Sequence, residues 1–233
     1  MTKNFAHRGF SARYPENTMP AFQKAVETGC DGIELDIHLT REGKIVIIHD
    51  ETVDRTTNGR GFVKDMDYAE LRKFDAGNGE PVPLMEEYFD LAEKHPLITN
   101  IELKNSVFWY EGMEEKVIEM IRKRGIGDRI IFPSFNHFSI LKCKKLAPEI
   151  RCGFLVWSWI IDAGAYTQKH GIEGFHPEYC SLTDEAVREI HSRGIAINAY
   201  TVNDRKDMER LISLGVDAII TNDPELLNRV LKE

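Results

Sequence analysis

Gly32-Ile33-Glu34-Leu35-Asp36-Ile37-His38-Leu39 alternates apolar and polar side chains without a break. Successive residues of an extended chain point to opposite faces, so Ile33, Leu35, Ile37 and Leu39 share one face while Glu34, Asp36 and His38 share the other. Outward from this strand, short apolar runs alternate with longer stretches of helical period. The pattern predicts strands over 4–7, 32–39, 97–104, 129–133, 152–156, 174–176, 196–199 and 218–221, and helices over 18–28, 84–94, 112–124, 137–146, 161–170, 183–193, 204–214 and 224–231. Asn17 and Thr18 precede the first helix, and Gly125, Gly171, Gly194 and Gly215 follow later helix ends, as capping chemistry requires. Parallel strands need crossovers long enough to hold a helix, and eight such units close naturally into an α/β TIM barrel, a (β/α)8 fold. An open doubly wound sheet is the alternative, weakened because no G-x-G-x-x-G follows the first strand.

One stretch exceeds a bare barrel. An extra strand is expected over 45–49, followed at 50–83 by a polar segment rich in turn residues. Long insertions in compact domains are usually functional or disordered. The helical apolar spacing of Leu71 and Phe74 predicts an ordered one, a small cap beside the mouth of a single domain covering 1–233.

The 233 residues carry 30 Lys and Arg against 38 Asp and Glu, a formal charge of −8. Basic residues are outnumbered and form no run longer than three, which argues against nucleic acid as partner. No apolar run approaches the roughly 18 residues of a membrane span, and the N-terminus lacks a signal-peptide pattern, so a cytoplasmic protein with no integral membrane association is expected. The four cysteines are scattered without zinc spacing and read as free thiols.

In a barrel the apolar face of 32–39 meets the helices, so Glu34, Asp36 and His38 point inward. Over 98–104, Ile101 and Leu103 face out while Asn100, Glu102 and Lys104 face in. Barrel interiors are ordinarily filled by branched aliphatics, so inward acids demand a partner. Residues i and i+2 of a strand lie about 6.6 Å apart. At that distance two bare carboxylates repel by about 2.5 kcal/mol at an effective dielectric of 20. Three carboxylates without cysteine suit a hard divalent cation, Mg²⁺ or Ca²⁺, over zinc. The competing reading is a metal-free ionic cluster neutralised by Arg8 and Lys104, disfavoured because buried ion pairs rarely offset their desolvation.

His7 ends the first strand and is followed by Arg8-Gly9, placing a general base, a phosphate-binding cation and a glycine suited to close ligand approach at the mouth. If Arg41-Glu42-Gly43-Lys44 forms a two-residue hairpin turn, paired positions sum to 85 and His49 lies across from Asp36 on the same face. His38 and His176 are weaker candidates. His95, His137, His170 and His191 lie in or beside helices and read as surface groups. Trp109, Trp157 and Trp159 fall in loops after strands, either as pocket lining or as ordinary packing. Ser134 and Ser158 lack a nucleophile elbow.

His7-Arg8-Gly9, Pro15-Glu16-Asn17-Thr18, Glu34-Leu35-Asp36, His49-Asp50, Arg55-Thr56-Thr57 with Gly59 and Gly61, and Glu102-Leu103-Lys104 together resemble the glycerophosphodiester phosphodiesterase family. The likeness continues through Ser134-Phe135-Asn136, Thr201-Val202-Asn203 and Gly215 to Thr221, ending at Pro224. It implies a TIM barrel with an insertion after the second strand, and hydrolysis of glycerophosphodiesters to sn-glycerol 3-phosphate and an alcohol. It also implies a divalent ion on Glu34, Asp36 and Glu102, an acid/base pair in His7 and His49, and phosphate contacts from Arg8 and Lys104. Tyr200 departs from the family, which usually has Trp there. Rival functions are a phosphodiesterase of lysophospholipids or phosphoinositides on the same barrel, and a non-catalytic barrel that binds a phosphorylated ligand.

Overall fold

The computed structural model describes residues 1–233. The chain runs β1 (Lys3–His7), α1 (Met19–Thr28), β2 (Gly32–Leu39), β3 (Ile45–Ile47), α2 (Tyr68–Leu71), α3 (Met85–Ala92), β4 (Ile98–Leu103) and α4 (Met113–Arg124). It continues through β5 (Ile130–Ser134), α5 (His137–Leu146), β6 (Arg151–Val156), α6 (Ala163–Lys169), β7 (Gly174–Pro177), α7 (Asp184–Ser192), β8 (Ala196–Ala199), α8 (Arg205–Leu214), β9 (Ala218–Thr221) and α9 (Pro224–Val230). All strands but β3 pair in parallel, and β9 closes on β1, giving a ring of eight in the order β1, β2, β4, β5, β6, β7, β8, β9. This is the (β/α)8 barrel that the strand and helix periods predict.

The caps foreseen in the sequence are present. Thr18 accepts from a backbone N–H in the first turn of α1, and Gly125 and Gly215 close α4 and α8 in the left-handed conformation; Asn136, Thr183 and Asp223 cap α5, α7 and α9 in the same way as Thr18. Ile33, Leu35, Ile37, Ile101 and Leu103 belong to the main apolar core, as the outward face of β2 and β4 requires. Inside the ring, Phe5, Ile131, Ala218 and Ile220 form a separate apolar cluster. Ile98 of β4 packs against it, and the other inward side chains of β2 and β4, Glu34, Asp36, His38, Asn100 and Glu102, are polar.

β3 lies outside the ring, antiparallel to β2. Its register corrects the sequence expectation: Ile37 faces Ile47 and His38 faces Val46, a sum of 84 rather than 85. The physical reason is the turn. Thr40 N–H donates to Lys44 O and Gly43 sits at φ +80°, so the loop holds three residues, Arg41-Glu42-Gly43, closed by a left-handed glycine. The segment 50–83 packs on its own apolar cluster of Val46, Ile48, Val53, Val63, Met66 and Leu71. Its helix ends at Leu71, and Phe74, whose spacing from Leu71 is helical, packs against that cluster from beyond the helix end.

Candidate active site

Strand register brings the acids together. β2 and β4 pair with Asp36 opposite Glu102 and Glu34 opposite Asn100, while β1 pairs His7 with Glu34. Paired residues in a parallel ladder share a face, so His7, Glu34, Asp36 and Glu102 all turn inward at the ends of neighbouring strands. One oxygen from each of the three acids lies within 4.8 Å of the others, and all three residues are buried. The site is therefore where a barrel carries its chemistry, at the carboxyl ends of its strands.

Arg8 and Asn17 both adopt left-handed backbone, φ +55° and +57°. Non-glycine residues held there cost energy that the surroundings must supply, and such strain gathers at functional sites. Here both aim at one carboxylate: Asn17 Nδ2 donates to Asp36 Oδ2 at 2.9 Å, and Arg8 Nε lies 3.3 Å from the same oxygen. Lys104 Nζ donates to Glu102 Oε1 at 2.8 Å and lies 3.9 Å from Asp36 Oδ1. Gly9 serves packing rather than a ligand. It has φ +79°, and a Cβ there would stand 2.7 Å from the backbone of Ala21.

The electrostatics are unbalanced. Burial, reinforced by Asp36 and Glu102, pushes Glu34 well above the ordinary carboxylate range, and burial likewise raises Glu102 against the pull of Lys104. Asp36 goes the other way: burial alone would raise it, but Arg8 and Lys104 hold it below its usual value. Asp36 Oδ1 and Asn17 Oδ1 are sealed from solvent without a hydrogen bond. Orphaned oxygens beside crowded acids fit a hard divalent ion, which takes oxygen ligands and removes the repulsion. Three acids compatible with a divalent metal are thus present.

The two histidines differ in their partners. His7 Nδ1 meets Asn222 Oδ1 at 2.6 Å. An amide oxygen only accepts, so Nδ1 carries the proton and the bare Nε2, 3.9 Å from Glu34, faces the acids. Burial, then Arg8, depress His7 to about 4. His49 reaches the cluster although its expected position across from Asp36 is wrong: β3 stops at Ile47, and Asp36 O accepts from Ile48 N–H. Beyond that point His49 Nε2 lies 3.2 Å from Lys104 Nζ, and His49 Nδ1 meets Asp50 Oδ1 at 2.6 Å. His38 supports this arrangement, since its Nε2 bonds His49 O at 3.0 Å and its Nδ1 meets the Tyr110 hydroxyl at 3.0 Å.

Several residues that the sequence reading left without a role stand behind these groups. Arg55, from the 50–83 segment, bridges Asp50 (2.7 Å) and Glu16 (2.7 Å), and Glu16 in turn accepts from Arg8 at 2.8 Å. An ion-pair chain therefore links His49 to Arg8 around the mouth. The His-Asp dipeptide at 49–50 was the available signal for Asp50. For Asn222 the signal was ring closure, which sets the end of β9 beside His7. His176 lies deep in the ring against Asn198, its Nδ1 unpartnered, beside a cavity of about 170 Å³ at the opposite end from the acids. His137 is not the surface group expected, as it stacks on Phe154 at 4.1 Å and bonds Leu155 O. Trp109, Trp157 and Trp159 neither line a pocket around the acids nor pack in the core; all three are exposed.

Burial holds His38 at about 4 and His176 at about 3, as it does His7. Each is depressed below its unfolded value of 6.5, so its contribution is present above pH 6.5 and is lost as the unfolded chain alone takes up protons on acidification. Denaturant midpoints are expected to fall steadily from pH 7 to pH 4, with each such histidine removing up to about 3 kcal/mol. The raised Glu34 and Glu102 act in the opposite direction over this range, so the readout is the pH slope lost in His176→Gln, and an unchanged slope would show that the ring titrates normally.

Residues 7–226 match the Glycerophosphoryl diester phosphodiesterase family. The chain is 42% identical to the glycerophosphodiester phosphodiesterase of Caldanaerobacter subterraneus subsp. tengcongensis, over 98% of this chain and 97% of that one. It is 41% identical to that of Bacillus altitudinis, over 100% and 99%. It superposes with a TM-score of 0.92 and 28% identity on an Oleispira antarctica phosphodiesterase in complex with the product sn-glycerol-3-phosphate, covering 100% of this chain and 98% of that one. With the acids, cations and histidines that its motifs bring to one barrel mouth, the chain belongs to the glycerophosphoryl diester phosphodiesterase family.

Proposed function

We propose that the protein hydrolyses glycerophosphodiesters to sn-glycerol 3-phosphate and an alcohol, with a divalent cation, Mg²⁺ or Ca²⁺, on Glu34, Asp36 and Glu102. The observation that carries this reading is the pair of imidazoles flanking one acid cluster, each with its Nδ1 bound to a different partner and its Nε2 turned toward the cluster's residues. The product-bound Oleispira relative and the two curated relatives support the substrate class.

Charge count supports the division of labour. Three carboxylates and a dication leave −1; the diester adds −1, and Arg8 with Lys104 bring the site to neutrality. A cation bound there supplies Lewis-acid stabilisation of charge on the non-bridging oxygens. Arg8 and Lys104 anchor those oxygens and hold the phosphorus in line. His7, neutral and unprotonated at Nε2, takes the proton of the attacking hydroxyl. By similarity to related phosphodiesterases, the attacker is the neighbouring glycerol hydroxyl, giving a cyclic phosphate that water opens. His49 delivers a proton from Nε2 to the leaving alkoxide once substrate oxygen replaces its contact with Lys104, and Asp50 holds the ring through Nδ1–H.

The direct test is incubation with glycerophosphocholine and measurement of glycerol 3-phosphate and choline. Release in equal amounts is expected, and no release from metal-loaded protein would sink the proposal. Asp50→Asn is expected to lower kcat by about 100-fold with KM changed far less, because it loosens the proton donor and leaves the phosphate anchors. Equal losses in both parameters would place Asp50 in substrate binding instead.

A further inference from the structure

Apart from Met1 and Tyr166, every large apolar side chain that the protein exposes lies on one arc of the barrel mouth. The arc follows three ring neighbours: the loop after β4 carries Val107 and Trp109, the start of α5 after β5 carries Phe138, and the loop after β6 carries Trp157, Trp159 and Ile161. Exposures of 74% for Trp157, 67% for Trp159 and 89% for Ile161 describe protruding side chains, although Trp159 and Ile161 also flank a pocket shared with Thr183, Glu185 and Glu189. On the cap side the arc is extended by Phe62, whose ring meets Phe108 edge to face at 5.4 Å. The loops after β8, β9 and β1 carry none of these side chains.

We infer that this arc docks the enzyme reversibly on a lipid surface of zwitterionic headgroups, with the loops 107–109 and 157–161 inserted to the depth of the headgroup boundary. Soluble proteins rarely expose so many clustered apolar groups without a contact to make. Tryptophan favours the membrane–water boundary, where an apolar ring and a polar N–H are both accommodated, and all three tryptophans of the chain are here. Charge selects the kind of surface. Neither insertion loop holds a lysine or arginine, Glu111 and Asp162 border them, and the formal charge of the chain is −8; Lys64, which stands over the Phe62 and Phe108 rings, is paired with Asp65. An anionic bilayer would therefore be repelled, whereas a zwitterionic one asks for no cation. Reversible contact along one side leaves entry open past the polar loops.

The chain's own fluorescence reads the contact, because Trp109, Trp157 and Trp159 are its only tryptophans. Addition of phosphatidylcholine vesicles to the full chain is expected to shift the emission to the blue, to bring it within reach of quenchers on the upper acyl chain, and to sediment the protein. Replacing a third of the lipid by phosphatidylglycerol is expected to weaken binding. The Trp157→Ser/Ile161→Ser variant is expected to partition at least about tenfold less while keeping its thermal midpoint, since both positions are exposed. No spectral shift and no sedimentation with phosphatidylcholine would overturn the inference. So would binding that appears only with phosphatidylglycerol, or a lipid-free dimer that buries the tryptophans. None of these readouts depends on turnover, so they stand apart from the proposed reaction.

Discussion

Excess EDTA is expected to lower glycerophosphocholine hydrolysis by at least about 1,000-fold, with Mg²⁺ or Ca²⁺ restoring it, because a bound dication supplies several kcal/mol of charge stabilisation and each 1.4 kcal/mol is tenfold. Without the ion, three acids face Arg8 and Lys104 with a formal surplus of one negative charge, and an anionic diester is repelled. The same crowding makes a second, opposite effect on stability. Burial and the neighbouring Asp36 and Glu102 raise Glu34 above its unfolded value of 4.5. Its folded form therefore binds a proton more tightly than the unfolded chain does, and stability present below pH 4.5 is lost as pH rises through the folded value. In EDTA, Glu34→Gln is then expected to melt at a higher temperature than the parent at neutral pH, while with metal the order reverses and activity stays low. A purely ionic cluster satisfied by Arg8 and Lys104 predicts instead full activity in EDTA and no thermal shift on adding either ion.

The acid cluster was legible because strand alternation and barrel closure are both local rules: once 32–39 and 98–104 are strands of one ring, Glu34, Asp36 and Glu102 have nowhere else to point. The approach of His49 was inferred from the wrong geometry. Gly43 serves a two-residue and a three-residue hairpin turn equally well, and the one-residue difference moves every pairing between β2 and β3. His49 arrives because the chain leaves β3 after Ile47 and its carbonyl is held by His38. The residues that orient the site were hidden for another reason. Arg55 meets Glu16 across 39 positions and His7 meets Asn222 across 215. Contacts of that separation exist only in the closed ring, and no periodicity encodes them. The tryptophans show the limit of composition, since their type favours burial and only the loop positions leave them in solvent.

His7→Ala and His49→Ala are each expected to lower kcat for glycerophosphocholine by about 10²- to 10⁴-fold, the range for a positioned general acid or base. The double variant should fall little below the worse single one, because the base and the acid serve the same displacement at phosphorus and act as a unit. The leaving group separates their roles. Choline departs as an alkoxide that needs a proton, whereas a p-nitrophenyl ester of glycerol phosphate releases a stable phenolate that needs none. On that ester the loss in His49→Ala should shrink to less than about tenfold, since the acid has nothing left to supply. His7→Ala should lose as much on the ester as on glycerophosphocholine, because the attacking hydroxyl must give up its proton whichever group departs. The neutral Asn222 partner and low proton affinity of His7, set against the Asp50 carboxylate on His49, give this order its physical basis. The reverse pattern would exchange the two roles, and equal losses on both substrates would remove proton transfer to the leaving group from the rate-limiting step.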